Sequence, residues 1–278
     1  MKIIVVSRGD LQRCHTLYKL SSEHIDNIHE ITVVAHDKKI KNRLKEKFPE
    51  FKVVSSGTKH LVDKRNWILE KLVEKNEWFI GCDDNIQYFT RVYPRYLAYS
   101  ELGVTGPPPK GFASWREVYN RKIDTPAWFK EFNTSILEAE SEDIPLVGVA
   151  TMENPYFRAR RYSNYRFVKT KIYAMKNTGK LWFENKLSHD SWLSAQCVAR
   201  HGKVLVDSYL HYKVRMYEPG GLGTREEREK LGLLKYLKHT CDSFPGLVMP
   251  ARGQNSALRF RLTREGSVEK WREENGYV

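Results

Sequence analysis

Two adjacent carboxylates and an amide, Asp83-Asp84-Asn85, follow directly on the apolar run Trp78-Phe79-Ile80-Gly81-Cys82. Like charges on neighbouring residues repel unless a cation or hydrogen-bond donors neutralise them. One chemistry for such a pair is to hold a divalent cation, or to divide the work between a cation and a ribose hydroxyl. The other reading is an Asx-rich turn, because Asp and Asn form local hydrogen bonds in turns. Further acidic and imidazole groups lie far downstream: Asp190 after His189, and Asp207 and His211 in the stretch VLVDSYLHYKV. Upstream, Lys64-Arg65 precedes the acidic pair by about one helix length, and Ser7-Arg8 and Asp37 each follow a short apolar run.

The elements needed to position these residues alternate in type. Ile3 to Ser7, Ile31 to Ala35, Phe51 to Ser55 and Trp78 to Cys82 read as short buried strands. Between them lie a helical stretch through Leu20, a basic amphipathic helix from Lys38 to Phe48 stopped by Pro49, and a helix from Lys64 to Asn76 capped by Asp63. Alternating strands and helices build a mostly parallel sheet covered on both faces, so the fold class is α/β. Ligands of such sheets bind outside the carboxyl ends of the strands, and Asp83-Asp84-Asn85 stands at one of them. Ser188 or His189 opens a further helix that ends at Gly202, with Asp190 in its first turn, where the helix dipole favours a carboxylate. Val204 to Met216 alternates as one strand, with Asp207, Tyr209 and His211 on a common face.

Residues 93–125 carry Gly103, Gly106, Pro107-Pro108-Pro109 and Gly111 without periodicity, and read as a loop insertion rather than a linker between domains. The segment YFRARRYSNYRFVKTK, residues 156–171, mixes cations with aromatics and contains no acid. That mixture suits phosphates and unpaired bases, with Arg158, Arg160, Arg161, Tyr162, Tyr165 and Arg166 as candidate contacts. An edge strand with a basic outer face fits equally well. The aromatic residues Tyr156, Tyr162, Tyr165, Trp115 and Trp128 are candidates for holding an unstacked base. Pro219-Gly220-Gly221-Leu222-Gly223 is either a closing loop or a connector.

The 278 residues carry a net charge of +13, a field that concentrates polyanions. No apolar run is long enough to span a membrane, and the N-terminus lacks a secretory pattern. The four cysteines lack disulfide or zinc spacing. A cytoplasmic protein, in a host cell if viral, with no obligate protein partner is the expectation.

Taken in order, the basic Lys64-Arg65-Asn66 helix, the Asp-Asp-Asn turn, the late acid opening a helix and the strand bearing His211 resemble the GT-A fold of nucleotide-sugar glycosyltransferases. The WFIGCDDNIQYF block, the basic balance and the FPGLVMPARGQNSALRFRL stretch resemble more closely the TET/JBP-associated glycosyltransferases of hydroxymethylated pyrimidines in DNA. The resemblance implies a GT-A-like catalytic domain over residues 1–215, with a donor half to about residue 92 and an acceptor half from about 126. Residues 216–278 would be an extension packed on it. It implies a UDP-type sugar donor, a divalent cation (Mn²⁺ or Mg²⁺) and a DNA acceptor bearing a hydroxymethylated pyrimidine. Asp83 would serve the ribose and Asp84 the metal, together with His211 and, where many members have a second Asp, Asn85. Arg65 would contact the donor alongside Ser7, Arg8, Asp37 and Lys64, and Asp190 would be the catalytic base. The alternatives are a glycan, protein or lipid-linked acceptor, a non-catalytic nucleic-acid-binding module, or a nucleotidyltransferase, for which paired Asp residues and a metal also serve.

Overall fold

The structure is a computed structural model, and it describes residues 1–23, 30–93, 120–150, 160–214, 225–251 and 254–278. Parallel strands β1 (Lys2–Val6), β2 (Glu30–Ala35), β3 (Lys52–Ser55) and β4 (Trp78–Asp83) form one half of an eight-stranded sheet. Their near-continuous Val and Ile content suits strands buried on both faces. The order is β3-β2-β1-β4-β9-β7-β10-β8, with β7 (Leu146–Val149), β8 (Tyr162–Ser163), β9 (Ile172–Lys176) and β10 (Leu205–Asp207) in the other half. β9 is antiparallel to both β4 and β7. A second sheet, β11-β5-β6, joins β5 (Ile86–Val92), β6 (Asn120–Ile123) and β11 (Leu210–Val214) in antiparallel register.

Helices α1 (His15–Ser22), α2 (Lys38–Lys47), α3 (Leu61–Lys71), α4 (Thr125–Ser141) and α5 (His189–His201) connect and cover the strands. Asp37 caps α2 by accepting from Ile40 N at 2.8 Å. His60, rather than Asp63, is the N-cap of α3, and Asp63 falls in its first turn. α5 spans the expected residues, from Ser188 as N-cap to Gly202, whose φ of 81° is open to glycine and strained for other residues.

α4 is an element the periodicity reading did not find. Asp124 caps it through Ala127 N at 2.7 Å, and a proline sits in its first turn. Trp128, expected on an aromatic rim, lies inside it fully buried: its ring is 4.7 Å from Phe89, and Nε1 donates to His211 O at 3.1 Å. The single strand expected over 204–216 is two strands in different sheets. The buried Asp207 carboxylate accepts from Tyr209 N at 2.7 Å and Leu210 N at 3.3 Å, an Asx-type turn that breaks the ladder. Its other oxygen accepts from Ser135 Oγ at 2.6 Å and Arg161 Nε at 3.1 Å, which ties the break to α4.

Two apolar clusters lie on the faces of the large sheet. One joins β1, β2 and β4 to α1 and α4. The other joins α3 and α5 to the C-terminal elements α7 (Leu233–Ser243), β12 (Val248–Ala251), β13 (Gln254–Phe260) and α8 (Glu265–Glu274), which follow the short α6 (Arg225–Lys230). Cys14, Cys82 and Cys197 are buried in these clusters and Cys241 is half-buried on α7.

Gly81 lets β4 pass directly under a tyrosine: a Cβ built there would lie 2.4 Å from Tyr173 Cζ. Gly81→Ala is expected to destabilise the fold by about 1–3 kcal/mol through overpacking, measured as a lower midpoint in urea unfolding at unchanged slope.

Candidate active site at the carboxyl edge of the sheet

The carboxyl ends of β1 and β4 bring Ser7, Arg8, Asp83 and Asp84 together, as adjacent parallel strands must. Asp84 Oδ2 accepts from Ser7 Oγ at 2.6 Å and from Arg8 N at 3.2 Å. Thr16 of α1 fixes the turn from below: its Oγ1 donates to Asp83 O at 2.7 Å and accepts from Ile86 N at 2.9 Å, while its N–H reaches Asp84 O at 3.0 Å.

Asp83 is held from both sides. Oδ1 accepts from Arg65 Nη2 at 3.0 Å, and Oδ2 accepts from Lys171 Nζ at 2.6 Å. Burial alone would raise this carboxyl, but Lys171 and Arg65 outweigh it and hold the group below its ordinary value. Asp84 goes the other way: burial, with Asp83 beside it, raises its carboxyl despite the Ser7 hydrogen bond. Lys64 is buried with Nζ donating to Ser7 O at 3.0 Å, and burial lowers its amine to about 8 against the pull of Asp84 and Asp83.

Arg65 lies at the base of this arrangement with 2% of its surface exposed. Its guanidinium sits 5.6 Å from the Tyr173 ring and 5.2 Å from the Phe183 ring. It donates to Asp83 and to both Oγ1 and the carbonyl of Thr170. Thr170 in turn donates to Asp190 Oδ1 from its hydroxyl, and from its N–H at 3.2 Å. A continuous chain of hydrogen bonds therefore runs Asp83, Arg65, Thr170, Asp190. Arg65 reaches the site through Asp83 and Thr170 rather than at its surface.

Asp190 is partly exposed. Burial would raise its carboxyl, but His189, Lys169 and the Thr170 hydroxyl hold it well below the carboxylate range. His189 Nε2 lies 3.2 Å from Asp190 Oδ1, and burial pushes its imidazole down to about 4.

Thr170 and Lys171 went unassigned in the sequence because they close the basic-aromatic segment. The available signal was the run Ile172 to Met175 directly after them: a buried strand that is antiparallel to β4 starts at the edge where β4 ends.

The cation donors are only partly assembled. Asn85 Oδ1 is buried without a hydrogen-bond partner, and a carboxamide oxygen of this kind is a hard donor that suits Mg²⁺ or Mn²⁺. His211 lies in β11, paired with the β5 strand that follows the turn, with Nδ1 3.4 Å from Thr90 Oγ1. Among the described residues no three His, Cys, Asp or Glu groups are close enough to hold a metal, so Asp83, Asp84 and His211 do not form a ready three-ligand set.

Asp37 lines an open cleft of about 670 Å³ at the carboxyl ends of β2 and β3, together with Lys38, Lys41, Ser55 and Trp67. Of the expected nucleic-acid residues, Arg160 and Arg166 are exposed. Arg161 is instead spent on the buried Asp207, Tyr162 packs half-buried against the first apolar cluster, and Tyr165 packs on the second. Arg158, Tyr156, Trp115 and the 219–223 loop lie outside the described residues.

The architecture is a GT-A-like α/β fold. Its likeness to solved structures extends over almost the whole chain. Residues 1–349 of S. aureus TarS match with a TM-score of 0.50 at 10% identity, covering 98% of this chain and 69% of that one. A mycobacterial protein matches with a TM-score of 0.53 at 10% identity, covering 93% and 82%. A glucosyl-3-phosphoglycerate synthase from Mycobacterium tuberculosis, solved with Mn²⁺, UDP and glucosyl-3-phosphoglycerate, matches with a TM-score of 0.46 at 13% identity, covering 89% and 83%. At such identities the likeness is one of fold. No family profile matches the sequence, and no curated protein does.

The buried His189 sets a pH response. Its folded value of about 4 lies below the ordinary 6.5, so between these values the unfolded chain binds a proton that the native one refuses. Stability therefore falls as pH drops from about 6.5 toward 4. Thermal melts at pH 7 and pH 5 are expected to differ less in His189→Asn than in the parent chain.

Proposed function

We propose that the chain is a nucleotide-sugar glycosyltransferase that moves a sugar from a UDP-type donor to the hydroxyl of a hydroxymethylated pyrimidine in DNA, with inversion. One observation carries the reading: the Asp83–Arg65–Thr170–Asp190 chain of hydrogen bonds links the acidic turn to a carboxylate at the opening of α5, beside an open cleft at the ends of β2 and β3. The general placement of ligands outside the carboxyl ends of the strands in open α/β sheets supports a nucleotide at that edge.

In this reading the cleft bearing Asp37, Ser55 and Trp67 takes the nucleoside, and Ser7, Arg8 and Asp83 orient the ribose and diphosphate. Asp84 and Asn85 would hold the divalent cation, with His211 as a further candidate ligand, and the ion supplies Lewis-acid charge to the diphosphate. Lys171 adds positive charge beside Asp83, and Lys64, its amine lowered to about 8, adds charge that is lost as pH rises through that value. Asp190 accepts the acceptor hydroxyl's proton as the oxygen bonds to the anomeric carbon. The bond from that carbon to the diphosphate breaks on the opposite side, and its electron pair leaves with the diphosphate. The four donors around the Asp190 carboxylate fix its direction at the cost of basicity, so proton transfer comes late in the step.

A glycan, protein or lipid-linked acceptor is the second reading. It is favoured by Arg161 and Tyr165, which turn inward instead of offering themselves to nucleic acid. No described helix is long and apolar enough to cross a membrane.

Incubation with a panel of nucleotide sugars, Mn²⁺ and DNA containing hydroxymethylcytosine or hydroxymethyluracil is expected to add one sugar mass to the modified nucleoside. Donor consumption with no nucleoside mass change for any pair would remove the DNA acceptor and leave the second reading. Asp190→Asn should lower kcat by about 10²–10⁴-fold. Asp84→Ala should abolish transfer and weaken Mn²⁺ binding in a calorimetric titration.

A further inference from the structure

Both oxygens of Asp83 are engaged by cations, so a ribose must compete for them. Arg65 Nη2 donates to Oδ1 at 3.0 Å, and Lys171 Nζ donates to Oδ2 at 2.6 Å. The two cations differ in their freedom to leave. The Arg65 side chain is 1% exposed, enclosed by Tyr173 and Phe183 and bonded to Thr170 as well, so it stays. The Lys171 side chain is 35% exposed and ends in a strongly hydrated point charge on a flexible stem. An ammonium carries further donors beyond the one that Asp83 Oδ2 takes.

The backbone under Lys171 is fixed although its side chain is not. Lys171 O accepts from Asp83 N at 2.8 Å, and Thr170 before it is pinned by Arg65 on one side and Asp190 on the other. Lys169, on the other flank of Thr170, is 40% exposed and stands 3.8 Å from Asp190 Oδ2. The arm from 169 to 171 thus presents two half-exposed ammonium groups at the carboxyl edge, one beside Asp83 and one beside Asp190.

Positive charge is in surplus there. Arg8, Lys64, Arg65, Lys169 and Lys171 stand against Asp83, Asp84 and Asp190, so cations outnumber acids even with every carboxylate ionised. Such a surplus at a strand end favours an anion, and lysine ammonium groups meet phosphates as point charges.

We propose that Lys171 is an exchangeable counter-ion for the donor: in the free chain it neutralises Asp83, and on binding its ammonium passes to the diphosphate, which frees Asp83 Oδ2 to accept from the ribose. Arg65 stays behind, so Asp83 keeps a counter-charge throughout the exchange. The exchange rests on the nucleotide-sugar reading given above. It makes recognition of the diphosphate a property of the chain's own lysine, in place before any divalent cation binds.

The test is calorimetric titration of UDP, UMP and inorganic pyrophosphate into the full chain in EDTA. Lys171→Met, Lys171→Arg and a control at the exposed Lys235, Lys235→Met, are titrated alongside, with thermal melts to verify folding. UDP is expected to bind the parent chain more tightly than UMP. Lys171→Met should weaken UDP by roughly five- to fiftyfold, as loss of one charged hydrogen bond does, and leave UMP within about twofold. Lys171→Arg should restore most of that loss, and Lys235→Met should change neither affinity. Equal weakening of UDP and UMP by Lys171→Met marks a merely structural lysine and would overturn the exchange. An undiminished UDP preference in the folded variant, or UDP binding that appears only with Mn²⁺, would overturn it too while leaving the nucleotide-sugar reading in place. Pyrophosphate binding that depends on Lys171, with no nucleotide bound, would keep the anion site and remove the nucleotide donor. No binding of UDP or pyrophosphate to the parent chain, in EDTA or with Mn²⁺, would overturn both.

Discussion

A guanidinium with almost no access to water is the constraint around which the carboxyl edge of the sheet is built. Burying an unpaired arginine is very costly, so the charge of Arg65 must find a counter-charge and its two Nη groups acceptors, while Nε stays buried without a hydrogen-bond partner. Asp83 supplies the charge, Thr170 supplies the carbonyl and hydroxyl, and Tyr173 and Phe183 enclose the planar faces. Satisfying one side chain thus fixes the end of β4, the start of β9 and the loop before α5 relative to one another. Removing either Asp83 or Thr170 would leave buried charge or buried donors unmatched.

The same network separates the two acidic neighbours in character. Asp83 is surrounded by cations and stays ionised, whereas Asp84 has neutral donors and a like charge beside it and is pushed upward. An adjacent pair with opposite tendencies divides its character: Asp83 stays an ionised acceptor while Asp84 is driven toward its neutral form. The repulsion that made the Asp-Asp turn conspicuous is thereby resolved on one side by Arg65 and Lys171, and on the other by the Ser7 hydroxyl and the Arg8 N–H.

The first half of the chain was legible in the sequence because each of its strands is a short unbroken apolar run and Pro49 marks the end of its basic helix, although the cap and bounds of α3 were displaced by a few residues. Ser7, Asp83 and Asp84 followed from the rule that parallel strands end at one edge. The later half was less legible for physical reasons. α4 opens with Thr-Pro-Ala-Trp-Phe and looks like the end of the preceding loop until Asp124 is recognised as its cap. The break after Asp207 is made by one side chain bonding its own backbone, which alternation of apolar residues cannot reveal. Arg161 counted as an outward cation until a buried aspartate was found to claim it. Charge counts do not distinguish a cation facing solvent from one folded onto a partner.

The thiols carry a practical consequence. Burial drives Cys14 up to about 12 and raises Cys82 and Cys197 as well, so these three are shielded from reagents that need a thiolate. Cys241 is the half-open one. The fold has thus left Cys241 on α7 as the attachment point among the four thiols. A fluorophore or spin label fixed there would report from α7 without a cysteine-free background having to be built first.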